Sequence, residues 1–157
     1  MNMIKAIATF LFVQHLFLFS FSQKNQNTQF EKCKGKLPFP VCTVYGYNDG
    51  KRDKSPWITP GYMNVTFTTD SGAEVKAIYA GTVCKVFTIE EGYAVVTNFG
   101  DYYITYYPLN NPSLKKGDIV FSGQPISKLS TSDSNHEVNI LMSKATTFID
   151  PYKWFKW

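Results

Sequence analysis

The chain has 157 residues, enough for one domain, and carries 16 Lys and Arg against 12 Asp and Glu, for a net charge of +4. Its lysines are scattered along the sequence rather than clustered. Because phosphate binding requires a basic patch or stripe, we expect no nucleic-acid partner. Aromatic residues make up 17% of the chain, which suits a compact β-rich core.

The first 22 residues have the pattern of a secretory signal peptide. Lys5 supplies a positive charge, residues 6–19 are almost entirely apolar, and Ser20 and Ser22 provide small residues before a cut ahead of Gln23. The alternative is a retained membrane helix, but the apolar run is shorter than the roughly 20 residues that a span needs. We therefore predict a secreted or periplasmic protein with no stable membrane span after cleavage.

A polar, Asn- and Gln-rich segment follows, and residues 23–29 are predicted to be a disordered leader. Cys33 and Cys42 then bracket eight residues that contain Gly and two Pro. In an oxidising compartment this spacing favours a local Cys33–Cys42 disulfide, with a pairing of Cys84 to either partner as the alternative. Cys84 lies in a strand pattern that is also typical of a buried, inert thiol.

Residues 30–157 are predicted to form the folded domain. Short runs rich in Val, Ile, Thr and Tyr alternate with turns that contain Gly, Asn or Asp, such as Gly100-Asp101. Sustained helical periodicity is not found. The fold class is therefore predicted as all-β, a compact antiparallel β-sandwich or barrel-sandwich hybrid with about eight to ten short strands.

Six segments, in order, resemble the lysostaphin-like (LytM-type) zinc endopeptidase domain, which cleaves peptide cross-links of the bacterial cell wall. They are KGKLPFPV, GYMNVTFTTDSGAEVKAIYAGTV, GYAVVTNFGDYYITYYPL, LKKGDIVFSGQPISKL, HEVNILMSK and the closing FIDPYKWF. The resemblance implies the barrel-sandwich hybrid of that family over nearly all of residues 30–157.

The family holds zinc with two His and one Asp and keeps a fourth position for water, which the metal activates. The first strand of the family carries His-x-x-x-Asp, where this chain has Tyr62 and Thr66. The central strand ends in Tyr-x-His-Leu, where this chain has Tyr106 and, at the His, Pro108. The resemblance therefore implies that these metal and catalytic positions have been replaced.

The closing strand of the family begins with His-x-His, and two registers are open here. In one, His136 matches the first His and Val138 the second; in the other, Asn135 and Glu137 take the two places. The chain has only two His, and one of them lies within the predicted signal peptide. A site with two His ligands cannot be built from one, so we predict no metal, no cofactor and no catalytic residues.

The resemblance then implies a secreted non-catalytic module that binds an envelope component through the emptied groove. The alternatives are a peptidoglycan metalloendopeptidase with non-standard zinc ligands and a purely structural envelope protein. The partner would be peptidoglycan or an envelope protein such as a cell-wall amidase. The groove residues that we predict are Tyr62, Thr66, Tyr106, Pro108 and His136.

Overall fold

A computed structural model of the chain describes residues 24–48, 64–131 and 136–157. These residues form ten β-strands, a helix of residues 24–31 and one short 3-10 helix, Pro151–Trp154. The strands are β1 (Gly46–Asn48), β2 (Asn64–Thr68), β3 (Glu74–Lys76), β4 (Gly81–Ile89), β5 (Gly92–Phe99), β6 (Tyr102–Leu109), β7 (Ile119–Val120), β8 (Pro125–Lys128), β9 (Glu137–Lys144) and β10 (Thr147–Ile149). The prediction of an all-β fold is confirmed.

The strands form one large and one small antiparallel sheet. The large sheet has the order β1-β2-β9-β6-β5-β4-β7, with β10 paired to β9, and the small sheet pairs β3 with β8. Strand β9, near the C-terminus, therefore lies between β2 and β6, which come much earlier in the chain. This crossover places β9 directly beside β2, although the two strands are far apart in the chain.

Alternation along the central strands places the core on one face of the large sheet. In β2 and β9 every second residue is buried and the others are partly exposed, which is the pattern expected for a sheet with one solvated face. The buried face packs against Val75 of β3, Ile126 of β8 and the aromatic residues Phe30 and Phe155. The opposite face of β2, β9 and β6 remains available for a site.

Two glycines allow close contacts at the hairpins. A Cβ on Gly81 would lie 2.8 Å from the Asn98 carbonyl oxygen, closer than packed atoms approach, so the β4–β5 pair needs Gly there. Gly100 has φ +56° in the turn between β5 and β6, a conformation that glycine adopts without steric cost. Both glycines lie in segments that resemble the family, and the backbone geometry at each position explains why glycine is there.

The segment that precedes the sheet is helical, which corrects the prediction of a disordered leader at residues 23–29. Residues 24–31 form a helix. Gln26 Oε1 accepts a hydrogen bond from Gly100 N at 3.1 Å, Asn27 Nδ2 donates to Asp101 Oδ2 at 2.6 Å, and Phe30 is fully buried. These contacts are tertiary, so the polar composition of the segment did not reveal them.

The predicted signal peptide of residues 1–22 and the groove residue Tyr62 lie outside the described residues. Among the described residues, no helix is both long enough and apolar enough to cross a membrane.

The predicted Cys33–Cys42 disulfide is not formed, and all three cysteines are free thiols. Cys33 follows the helix, and its Sγ lies 3.5 Å from the Gln29 carbonyl oxygen, to which it donates. Cys42 is exposed, with its Sγ 3.5 Å from Lys76 Nζ. Each thiol thus has a different neighbour, which the short interval between the two residues did not indicate.

Candidate functional site

The outer face of the large sheet brings together the strands that the resemblance assigns to the metal. Thr66 of β2 is the Cα partner of Asn139 of β9, and Asn139 in turn is the partner of Tyr107 of β6. Val138 and Ile140 are fully buried on the core side. Because side chains alternate along a strand, Asn139 points to the same outer face as Thr66.

Three neutral side chains are hydrogen-bonded to one another on this face, and we call them the polar cluster: Asn64, Thr66 and Asn139. Thr66 Oγ1 donates to Asn139 Oδ1 at 2.6 Å, and Asn64 Nδ2 donates to the same oxygen at 2.8 Å. Asn64 Nδ2 also donates to Thr66 Oγ1 at 3.3 Å. The cluster therefore links β2 to β9 through side chains, in addition to the backbone ladder.

Asn139 is the β9 residue that faces Thr66, the position at which the resemblance implies the family's Asp, and neither predicted register named it. The ligands of one ion must converge, and Asn139 is the β9 side chain that contacts Thr66. Val138, a candidate in the first register, is in the core. In the second register, Asn135 lies outside the described residues, and Glu137 is partly exposed at the start of β9, opposite Thr68 rather than Thr66. The sequence signal that could have identified Asn139 is the alternation of β9, which places Val138 in the core and Asn139 on the outer face.

Of the predicted groove residues, Thr66 lies on the outer face, but Tyr106 does not. Tyr106 is fully buried, its hydroxyl accepts a hydrogen bond from Ile78 N at 3.1 Å, and burial raises the pKa of its phenol. Pro108 is also buried. Strand alternation explains the correction for Tyr106: the partly exposed position between the two is Tyr107, which was not among the predicted groove residues.

His136 lies just before β9, apart from the polar cluster. Its backbone has φ 53°, and its carbonyl oxygen accepts a hydrogen bond from Thr69 N at 2.9 Å. The ring is partly buried, and its Nδ1 has no hydrogen-bond partner among the described residues. The carbonyl contact gives the residue a role in joining β9 to the end of β2, and no hydrogen bond connects it to Thr66 or Asn139.

The residues of the polar cluster do not fit zinc. Zinc in proteins is bound by thiolate, imidazole or carboxylate groups, and the polar cluster offers a hydroxyl and two amides. The Asn139 oxygen already accepts two hydrogen bonds. In the three described ranges, no group of three or more His, Cys, Asp or Glu side chains converges as a metal site would require.

An apolar groove adjoins the polar cluster on the same face and has a volume of about 410 Å³. Leu141, which lines it, is the Cα partner of both Asn64 and Thr105. The groove therefore lies next to the polar cluster, because Leu141 of the groove pairs directly with Asn64 of the cluster. Its lining residues are Phe87, Ile89, Glu90, Glu91, Ala94, Thr105, Tyr107 and Leu141.

The comparisons with known proteins agree with the resemblance seen in the sequence. The model of peptidase family M23 matches residues 62–151, more than half of the chain. No curated protein sequence is significantly similar to this chain. The matched range begins at Tyr62 and ends at Pro151, so it includes the polar cluster and the groove.

Solved structures share the fold. A structure of Helicobacter pylori Csd3 has 20% sequence identity and a TM-score of 0.61 over 76% of this chain and 34% of that chain. Lysostaphin from Staphylococcus simulans has 23% identity and a TM-score of 0.54, over 75% of this chain and 49% of that chain. A structure of the SpoIIQ–SpoIIIAH pore-forming complex has 25% identity and a TM-score of 0.50, over 59% of this chain and 63% of that chain. The chain thus spans about a third of the length of the Csd3 chain that it matches.

Proposed function

The chain belongs to peptidase family M23, and from that premise we propose that it is a non-catalytic peptidase-like domain that binds at the bacterial cell envelope, with peptidoglycan as its ligand. In this role the domain keeps the binding face of a peptidase but does not hydrolyse peptide bonds. An envelope protein such as a cell-wall amidase is the second partner to test.

The observation that carries this proposal is the hydrogen bond from Thr66 Oγ1 to Asn139 Oδ1, at 2.6 Å. By the resemblance, Thr66 stands where the family has the Asp of its ligand set. Hydrolysis of a peptide bond by such a site depends on a metal that lowers the pKa of bound water. A hydroxyl and two amides supply neither a metal ligand of the usual kind nor a general base, since none of them ionises near neutral pH.

The envelope location is supported by the predicted signal peptide of residues 1–22 and by the kinds of protein that share the fold. Lysostaphin is described as an antimicrobial peptidase, and SpoIIQ is found in a pore-forming complex with SpoIIIAH. These descriptions belong to those proteins. For this chain they support a test against cell-wall material and against envelope proteins.

The first experiment measures the metal. Purified wild-type protein is expected to contain less than one tenth of an equivalent of zinc by elemental analysis and to leave cross-linked peptidoglycan uncut. A variant with Tyr62→His, Thr66→Asp and Asn139→His restores the family's ligand set and is expected to gain zinc. One equivalent of zinc in the wild type, together with cleavage, would instead establish a metalloendopeptidase with non-standard ligands.

The second experiment measures binding. Wild-type protein and a Leu141→Asp variant are each sedimented with insoluble peptidoglycan. The variant places a charge in the apolar groove. The variant is expected to remain in the supernatant while the wild type sediments. Ile119→Asp is the matched control, because Ile119 is 66% exposed and lies on β7, outside the groove. If the wild type does not sediment and does not retain a purified amidase, the binding proposal is wrong.

A further inference from the structure

Lysines that are scattered along the sequence come together in the fold, where two distant segments of the chain meet. Residues 24–36 and 144–157 contain seven Lys and two acidic residues, so these segments carry a net charge of +5. The whole chain carries +4, so all its other residues together carry −1. We call the exposed side chains of the two segments the basic surface. Its seven lysines are all exposed: Lys24, Lys32, Lys34, Lys36, Lys144, Lys153 and Lys156.

Backbone and core contacts hold the two segments side by side. Leu37 forms a parallel bridge with Phe155. Leu37 N donates to the Trp154 carbonyl oxygen at 2.9 Å, and Lys156 N donates to the Leu37 carbonyl oxygen at 3.0 Å. The buried rings of Phe30 and Trp154 are stacked with their centroids 4.3 Å apart. Because these contacts belong to the core, the lysines beside them stay close together in the folded protein.

Most of this positive charge is not neutralised by acidic side chains. Lys144 Nζ lies 2.7 Å from a Glu31 oxygen, and Lys153 Nζ lies 3.8 Å from an Asp150 oxygen. In the three described ranges, the other five lysines have no carboxylate within ion-pair distance. A concentration of unpaired like charge attracts an anionic partner, and salt weakens that attraction.

Exposed aromatic rings lie among the lysines and indicate what kind of anionic partner fits. Three of the lysines, Lys34, Lys144 and Lys153, line a cavity of about 550 Å³. Phe148 lines the same cavity and is 42% exposed, and Trp157 is 45% exposed. At a membrane surface such rings enter the interface while lysines contact anionic headgroups. A soluble polyanion would leave the rings without a partner.

The place where the chain enters the described structure also favours a membrane. That structure begins at Lys24, which belongs to the basic surface. Residues 6–19 are almost entirely apolar and end five residues before Lys24. An extended chain spans at most about 3.6 Å per residue, so residue 19 and Lys24 are separated by no more than about 18 Å. While the predicted signal peptide is still attached, the basic surface is therefore within reach of the bilayer.

We infer that the basic surface binds the anionic headgroups of a lipid membrane, with Phe148 and Trp157 in the interface, and that it holds the domain peripherally on that membrane. The inference goes beyond the proposed function, because contact with lipid requires no cell-wall ligand. The basic surface shares no residue with the polar cluster or its apolar groove.

The test measures sedimentation of the full-length protein with lipid vesicles. Vesicles with about 30% phosphatidylglycerol in phosphatidylcholine are the anionic probe. Vesicles of phosphatidylcholine alone are the neutral reference, and they also report any binding by the apolar N-terminal residues. We expect at least about tenfold tighter binding to the anionic vesicles, and raising the salt from about 50 to about 500 mM should remove most of that difference.

The double variant Lys34→Gln, Lys36→Gln removes two unpaired charges from the basic surface. Each lysine near an anionic bilayer contributes about fivefold in affinity, so we expect the double variant to bind about twentyfold more weakly. The matched control is Lys115→Gln, Lys116→Gln, which removes two exposed lysines from the loop before β7. The control should bind within about twofold of the wild type.

Phe148→Ser tests the aromatic contribution. We expect about fivefold weaker binding to the anionic vesicles, because the affinity of an interfacial surface rises with the apolar area that it buries. Phe121→Ser is the control, since Phe121 is 67% exposed and lies outside the basic surface, and its binding should be unchanged. Thermal unfolding of each variant shows whether it remains folded.

Equal binding of the wild type to anionic and neutral vesicles would overturn the inference, and this comparison needs no variant. Equal losses in the two double variants would also overturn it. A short DNA duplex is the competing probe: if it binds as tightly as the anionic vesicles and Phe148→Ser has no effect, the surface is a general polyanion site and the membrane inference is wrong. If the wild type sediments with peptidoglycan but not with anionic vesicles, the inference is wrong and the proposed function stands.

Discussion

The Thr66 hydroxyl donates to Asn139 Oδ1 across 2.6 Å, between a strand near the start of the described sheet and one near its end. Their Cα atoms are partners in the β2–β9 ladder, so the bond needs no displacement of the backbone. A contact of this kind fixes the side chains of both residues on the outer face. It therefore links the two strands through their side chains as well as through the backbone ladder.

Replacing Thr66 by Val removes this hydroxyl and keeps the side-chain shape. We expect a loss of about 1 kcal/mol in the free energy of unfolding, because a partly buried hydrogen bond is lost and Asn139 keeps one of its two donors. Urea denaturation measures the change. Thr68→Val, on the same strand and face, is the control and should shift the free energy of unfolding by a few tenths of a kcal/mol at most. Equal losses in the two variants would contradict the assigned role.

Replacing Tyr106 by Phe tests whether this residue belongs to the core or to a groove. The variant keeps the ring and leaves Ile78 N–H without its acceptor, which is 3.1 Å away in the wild type. An unsatisfied buried N–H costs about 1–3 kcal/mol of stability. Peptidoglycan binding per folded molecule should stay unchanged. Tyr103→Phe is the control, because Tyr103 is partly exposed on the same strand, and it should be nearly neutral.

The contact between Glu31 and Lys144 makes a small part of the stability depend on pH. Lys144 Nζ lies 2.7 Å from Glu31 Oε1, and this bond, with a further one from the Tyr102 hydroxyl, lowers the pKa of Glu31 from 4.5. A carboxyl with a lowered pKa stabilises the fold above its unfolded pKa and loses that effect as the pH falls through its folded pKa. Glu31→Gln should therefore be less stable than the wild type at pH 7 and equally stable well below pH 4.5.

The expected difference at pH 7 is below about 1 kcal/mol, because both side chains are about half exposed and water screens the pair. Denaturation curves at several pH values measure it. Glu90→Gln removes an exposed turn carboxylate and serves as the reference. A gap between the wild type and Glu31→Gln that persists unchanged at pH 3 would show that the ion pair is not its source.

The three cysteines should react as free thiols at different rates. Cys42 is exposed, whereas Cys84 is partly buried and burial raises the pKa of its thiol. Since the thiolate is the reactive form, alkylation of folded protein at pH 8 should modify Cys42 first and Cys84 more slowly. Mass spectrometry after alkylation without reduction should find three modified cysteines. Only one modified cysteine would show that a disulfide had formed after all.

Much of the fold could be predicted from the sequence because its signals are local. Alternation in β2 and β9, Gly at the hairpin turns and β-branched or aromatic residues in the runs all act over a few neighbouring residues. The helix of residues 24–31 could not be predicted in this way. Its stability depends on Phe30 in the core and on Gln26 and Asn27 at the β5–β6 turn, which are contacts between distant parts of the chain.

The candidate site, like the fold, could be predicted from the sequence only in part. The prediction that the family's zinc ligands are missing came from counting His residues, because a ligand set needs particular side chains wherever they lie. Which residues stand in their place depends on strand register. A shift of one residue exchanges the two faces of a strand, so Val138 and Asn139 differ completely in role.

The sequence by itself determined the all-β class and the family, since composition and local pattern carry that information. Only the tertiary structure decided that Tyr106 belongs to the core and that Asn64, Thr66 and Asn139 form one cluster. The reason is that β2 and β9 are far apart in the chain and become neighbours only when the sheet assembles. Side-chain hydrogen bonds between them exist in the folded state alone.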